Sequence, residues 1–194
     1  KRPFVAIIGG AKVSTKIGVL KNLLNQVDTL IIGGGMVFTF YKSQGYKVGE
    51  SLVENEKIEE AKLFLVQAQG AGTKLVFPKD SVVAKEVNKE GKSIEEIFGD
   101  CEVATVDTKE IPENAAGVDI GPQAIAEIEN IVRDAGTVLW NGPLGIFELD
   151  KFAKGTNEVA RCLVDSRAIT IIGGGDSAAA IKKVGLVDKI THIS

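Results

Sequence analysis

Apolar residues in this chain alternate between two kinds of run. Phe4–Ile8, Thr29–Ile32, Thr137–Trp140 and Ala168–Ile172 are short, rich in β-branched residues and apolar at nearly every position. Such runs are buried strands of a parallel sheet, because both sheet faces are covered. Between them the apolar positions recur with a period near 3.6. Ile17, Leu20, Leu23, Leu24 and Val27 make one helical face, and Ile58, Ala61, Leu65 and Ala68 make another within Glu54–Gln69. Met36–Tyr41 is a short apolar helix, and Pro122–Arg133 and Lys151–Asp165 are longer ones. Pro122 suits a first helical turn. Lys74–Phe77 is a strand stopped by Pro78. From Asp80 to Pro122 the pattern weakens, to short strands at Ser81–Val87 and Glu102–Val106 and a helical turn at Ser93–Phe98. Thr191–Ile193 is a last strand.

The glycines sort these runs further. Phe4–Gly10, Thr29–Gly35 and Ala168–Gly175 each run from strand through glycines into helix, and Thr137–Gly145 is a looser fourth copy. Alternating strands and helices imply parallel βαβ units. Right-handed crossovers then bring all four glycine-rich turns to one edge of the sheet, where open α/β sheets bind ligands. Asn141–Glu148 is a shaped turn, rich in glycine and proline, with Ile146 and Phe147 as an apolar wall and Glu148 able to accept hydrogen bonds from sugar hydroxyls. Gly117–Pro122 is a second such turn, entering a helix. Gly49 is ordinary turn chemistry. No linker or charge run divides the chain, so residues 1–194 form one domain. Its first strand lacks a preceding element and its last lacks a covering helix, as expected of a domain from a longer protein.

Composition narrows the function classes. The chain has 194 residues, 44% hydrophobic and 25% charged, with 23 basic and 26 acidic residues and a net charge of −3. That balance makes no electrostatic case for nucleic acid or an anionic membrane. No apolar run is long enough to span a bilayer. Cys101 and Cys162 lack metal or redox spacing and are expected to be reduced, buried thiols of a cytoplasmic protein. His192 is the only histidine and is expected to be structural, which leaves no nucleophile–histidine–acid set and no zinc cluster.

What remains suits a phosphate ligand. In Gly173-Gly174-Gly175-Asp176-Ser177 a strand ends at the start of a helix, whose free N–H groups attract anions. A carboxylate there repels phosphate unless a cation sits between them, so Asp176 points to a magnesium-bound nucleotide. Lys12 and Lys16 are four apart across another strand-to-helix turn, a spacing that places both ammonium groups on one face to hold phosphate. The chain has neither G-x-x-x-x-G-K-[ST] nor a G-x-G-x-x-G opening a βαβ unit, which disfavours a nicotinamide dehydrogenase. Backbone amides, lysines and one metal-binding acid suit phosphoryl transfer. The lack of a general base favours a carboxylate acceptor over a hydroxyl. A non-catalytic nucleotide-binding or interaction module is the alternative.

Four stretches together resemble the C-terminal, nucleotide-binding domain of the phosphoglycerate kinase family. They are Gly9–Val13 with Lys16, Ile31–Met36, Trp140–Glu148 and Ile171–Ser177. They stand in the family's order and span nearly the whole chain. The resemblance implies a Rossmann-like, three-layer α/β fold: an open parallel sheet with helices on both faces, plus a few short extra strands. It implies reversible phosphoryl transfer between 1,3-bisphosphoglycerate and ADP, giving 3-phosphoglycerate and ATP. Lys16 would stabilise the transferring group, with Gly174 beside it as a catalytic position, and Lys12 would support the phosphates. Asp176 would hold Mg²⁺, and Gly174, Gly175 and Ser177 would bind nucleotide phosphates. Asn141 would also contact the nucleotide, Glu148 would take the ribose, and Gly34, Gly117 and Ile146 would line the adenine pocket. Thr15 stands where the family usually has Asp. The family's 3-phosphoglycerate site lies in an N-terminal domain, and a glycine-rich loop follows its equivalent of Thr191–Ile193. The chain alone is therefore expected to bind nucleotide without turnover, as part of a monomer.

Overall fold

The computed structural model describes residues 1–194. Its strands are β1 (Phe4–Ile8), β2 (Thr29–Ile32), β3 (Lys74–Val76), β4 (Asp80–Lys85), β5 (Glu102–Asp107), β6 (Ala115–Ile120), β7 (Thr137–Asn141), β8 (Ile169–Gly173) and β9 (His192–Ile193). Its helices are α1 (Val13–Leu23), α2 (Val37–Ser43), α3 (Ile58–Gly70), α4 (Ile94–Phe98), α5 (Pro122–Arg133), α6 (Lys154–Asp165) and α7 (Gly175–Lys183). Six strands form one parallel sheet in the order β3-β2-β1-β7-β8-β9. Counted along the parallel strands alone, this is the doubly wound order 3-2-1-4-5-6, as expected from the alternating runs.

The alternation of side chains along β1 divides the core. Ala6 and Ile8 face one side with Leu30 and Ile32, under α1, α2 and α3. Val5 and Ile7 face the other with Ile31, Val138, Trp140 and Ile172, under α5, α6 and α7. Strands covered on both faces must be apolar throughout, which is the pattern in the sequence. Each buried Leu or Ile contributes roughly 1.5–3 kcal/mol relative to exposure. The surface ion pairs, such as Arg161 with Glu158, are solvated and contribute far less. Burial on the two faces is therefore what holds the helices.

Some local expectations change. The turn expected at Gly117–Pro122 is instead mostly strand β6, which pairs with β4 in a three-stranded antiparallel sheet of order β5-β4-β6. Gly117 disguises it: a Cβ there would lie 1.9 Å from Phe38 Cζ, so the ring of α2 takes the place of a side chain. On α3 the fully buried face is Ala61, Phe64 and Ala68, while Ile58 and Leu65 are half-buried. A 3-10 turn at Asp150–Phe152 precedes α6 and separates it from the loop after β7. Gly49 is more than a plain turn residue, since a Cβ there would strike Pro112 O at 2.2 Å. Cys101 and Cys162 are free thiols but only half-buried, and His192 is exposed on β9 rather than packed in a core. No helix is long and apolar enough to cross a membrane.

Gly117→Ala is expected to lower unfolding stability by about 1–3 kcal/mol through overpacking against Phe38. Adding Phe38→Leu should recover part of that loss. Chemical denaturation of both variants checks this, and an unchanged midpoint for Gly117→Ala would contradict the packing.

Candidate functional site

The chain leaves β1 towards β2 and leaves β7 towards β8, in opposite directions along the sheet. The crevice opened between two such neighbours is where this topology binds ligands. Here it is built almost wholly of main chain. A Cβ on Gly9 would lie 2.2 Å from Pro143 O, and one on Gly34 would lie 2.5 Å from Gly10 N. The Met36 amide donates to Gly10 O at 3.1 Å, and Gly9 N to Asn141 O at 2.9 Å. The loops after β1, β2 and β7 thus touch backbone to backbone, which glycine alone permits.

Polar side chains then fix the loop after β7. Buried Trp140 donates its Nε1–H to Gly142 O at 2.7 Å. Ser177 Oγ accepts from Gly142 N at 2.5 Å, and Thr156 Oγ1 accepts from Leu144 N at 3.1 Å. Ser177 is expected to bind nucleotide phosphate at the helix start; its hydroxyl is buried and committed to this loop, which leaves its main chain at the helix start.

Lys16, in the first turns of α1, reaches across the crevice and donates from Nζ to Asn141 Oδ1 at 2.5 Å. Asn141 in turn borders the loop after β8: a Cβ on Gly173 would lie 3.1 Å from its Nδ2, and one on Gly174 3.4 Å. Lys16, Asn141 and Gly174, far apart in sequence, are therefore neighbours. Lys12 shares the helix face in principle but sits at the extended residue before α1 and is exposed.

The helix starts around this crevice differ in one respect. At α1, Glu54 accepts from Ser14 N at 3.1 Å and also from the Ser14 hydroxyl. At α2, the carbonyls of Gly10, Gly34 and Gly35 take the first amides. At α5, the two oxygens of Asp80 accept from Gln123 N and Ala124 N at 3.0 and 2.8 Å. At α6, Asp119 Oδ2 accepts from Gly155 N at 2.8 Å. At α7 no side chain caps the first turn, and Gly174 enters it with φ +89°. Uncapped N–H groups at a positive helix end form an anion site. Gly174, Gly175 and Asp176 are exposed there.

A cavity of about 500 Å³ adjoins this start. Gly34, Gly117, Ile146, Glu148 and Asp176 all line it, so five sequence candidates meet on one surface. Sequence reasoning missed Val87, Ile97 and Phe98, which form an apolar wall from the weakly patterned segment. It also missed the three carboxylates that close helix starts, Glu54, Asp80 and Asp119. No three His, Cys, Asp or Glu side chains come together to hold a metal by themselves. A single hard oxygen donor beside an uncapped helix start fits Mg²⁺, which takes one or two carboxylates and completes its shell with water and substrate phosphates.

Asp119 is buried and lines the cavity. Burial pushes its carboxyl up to about 7, against the opposing pull of the Gly155 and Ile120 amides and of Lys154. Because the folded chain holds this proton more tightly than the unfolded chain, stability from this group is full below about pH 4. It is lost as pH rises through about 7. Asp119→Asn should therefore flatten the decline in unfolding free energy between pH 5 and pH 8. Denaturation series at several pH values check this, and identical slopes would contradict it.

Comparison with known proteins accords with this architecture. The sequence profile of the phosphoglycerate kinase family matches residues 1–194. The chain is 53% identical over 197 residues to phosphoglycerate kinase of Chlorobium chlorochromatii, and 52% identical over 194 residues to that of Clostridium perfringens (strain 13 / Type A). All of this chain is covered in both cases, but only 47% and 46% of those proteins. The structure of phosphoglycerate kinase from Coxiella burnetii superposes on the whole chain with a TM-score of 0.91 at 39% identity, using 47% of that protein. The chain spans about half the length of the curated relatives it matches, and it belongs to the phosphoglycerate kinase family.

Proposed function

We propose that this chain is the nucleotide-binding domain of a cytoplasmic, monomeric phosphoglycerate kinase and binds magnesium ADP or ATP. The observation that carries the reading is the uncapped start of α7, facing Lys16 and Asn141 across the crevice and opening onto the cavity. The amides of Gly174, Gly175 and Ser177 hold the nucleotide phosphates. The apolar cavity takes the base against Gly34, Gly117 and Ile146, and Glu148 accepts from the ribose hydroxyls.

The reaction is transfer of a phosphoryl group between 1,3-bisphosphoglycerate and ADP. The acceptor of the reverse reaction is the carboxylate of 3-phosphoglycerate, already ionised, so no residue here needs to act as a base. This chain supplies charge and position. Lys16 places an ammonium group where charge develops on the transferring phosphoryl oxygens, held there by Asn141, and Gly174 flanks that position. Lys12, more exposed, adds attraction for the phosphates at longer range. Asp176 would hold Mg²⁺, which neutralises phosphate charge when bound. The 3-phosphoglycerate site belongs to the other half of the whole enzyme, so this chain alone binds nucleotide without turnover.

Calorimetric titration of this chain should show saturable ADP binding that tightens with Mg²⁺, and no response to NAD⁺. Asp176→Ala should remove the Mg²⁺ effect. A folded sample that ignores ADP would overturn the reading. In the full-length enzyme, Lys16→Ala should lower kcat by about 10²–10³-fold while changing ADP affinity far less. Equal losses in both would show that Lys16 serves binding alone.

A further inference from the structure

The carboxylate that closes α1 does so from a distance, and α1 is the helix that carries Lys16. We propose that Glu54 is a positioning residue for Lys16: it caps α1 from outside and so fixes where that lysine points. The inference rests on the phosphoryl-transfer reading given above.

The helix has no cap of its own. Lys12, the residue before it, makes no side-chain capping bond, and the first turn holds no acidic residue. A helix start without partners frays, and a negative charge beside it offsets the helix dipole. Glu54 supplies both, although it lies 40 residues further along the chain. Its Oε2 accepts from the Ser14 amide and its Oε1 from the Ser14 hydroxyl. Glu54 is 8% exposed, whereas Ser14 lies at the surface, so the bonds are part-buried.

Glu54 is itself anchored. Its amide donates to Thr39 Oγ1 of α2 at 3.1 Å, and Thr39 is buried. The Met36 amide at the start of α2 donates to Gly10 O, in the loop that leads into α1. Two routes therefore lock α1 to α2, through the Gly10 carbonyl and through Glu54. Lys16 lies half a turn beyond Ser14 and is already within reach of Asn141. Burial raises the Glu54 pKa, but the Ser14 hydroxyl, the Ser14 and Val13 amides and the nearby Lys12 charge together lower it below the ordinary value. The group is thus ionised at neutral pH.

A double-mutant cycle in the full-length enzyme tests the proposal. Glu54→Ala should lower kcat by about 10–100-fold, the scale of a misplaced catalytic group, with the Kd for magnesium ADP within about threefold of the parent. In a Lys16→Ala background the same substitution should lower kcat no further, because its effect runs through the lysine. If Glu54→Ala does not fold, Glu54→Gln, which keeps the size and one acceptor, enters the same cycle with a smaller expected loss. Unchanged kcat, or the same fold loss in both backgrounds, would overturn the proposal while leaving the kinase reading intact. A parent enzyme that neither binds ADP nor turns over would instead overturn the kinase reading itself.

Discussion

Helix starts at the carboxyl edge of the sheet compete for anions, and the protein supplies its own to most of them. Glu54 closes α1, Asp80 closes α5 and Asp119 closes α6, while α2 is closed by main-chain carbonyls. A phosphate approaching the first three finds first-turn amides already occupied by a carboxyl group. At α7 it meets free N–H groups. One uncapped helix among capped neighbours makes the edge specific about where an anion sits. The other parts of the site are arranged around that position.

Close packing of main chain supports this arrangement. The loops after β1, β2 and β7 touch through glycines, and a single methyl group at Gly9 or Gly34 would drive them apart. Their contact brings α1 close enough for Lys16 to meet Asn141, and brings Asn141 beside Gly174. The chemistry of the site therefore depends on residues without side chains, which set distances that the few charged groups then use.

The fold was legible in the sequence because a parallel sheet covered on both faces demands strands apolar throughout. Phe4–Ile8 and Ala168–Ile172 advertise that demand, and the glycines after them mark the ligand edge. β6 escaped because Gly117 and buried Asp119 break the apolar pattern for tertiary reasons, the Phe38 ring and the start of α6. The same cause hid the remote caps. Glu54 and Asp80 look like any surface acid until folding places them 40 and 43 residues away against a helix start. Periodicity reported that Ser177 begins a helix, but its hydroxyl direction depends on where Gly142 lies.

Amide-resolved NMR of this chain, on addition of magnesium ADP, tests the central claim most directly. The largest shift changes are expected at the amides of Gly174, Gly175, Asp176 and Ser177, with Val13 and Ser14 at the start of α1 nearly unmoved because Glu54 already occupies them. Strong changes at the starts of α1, α5 or α6 with α7 silent would contradict the account.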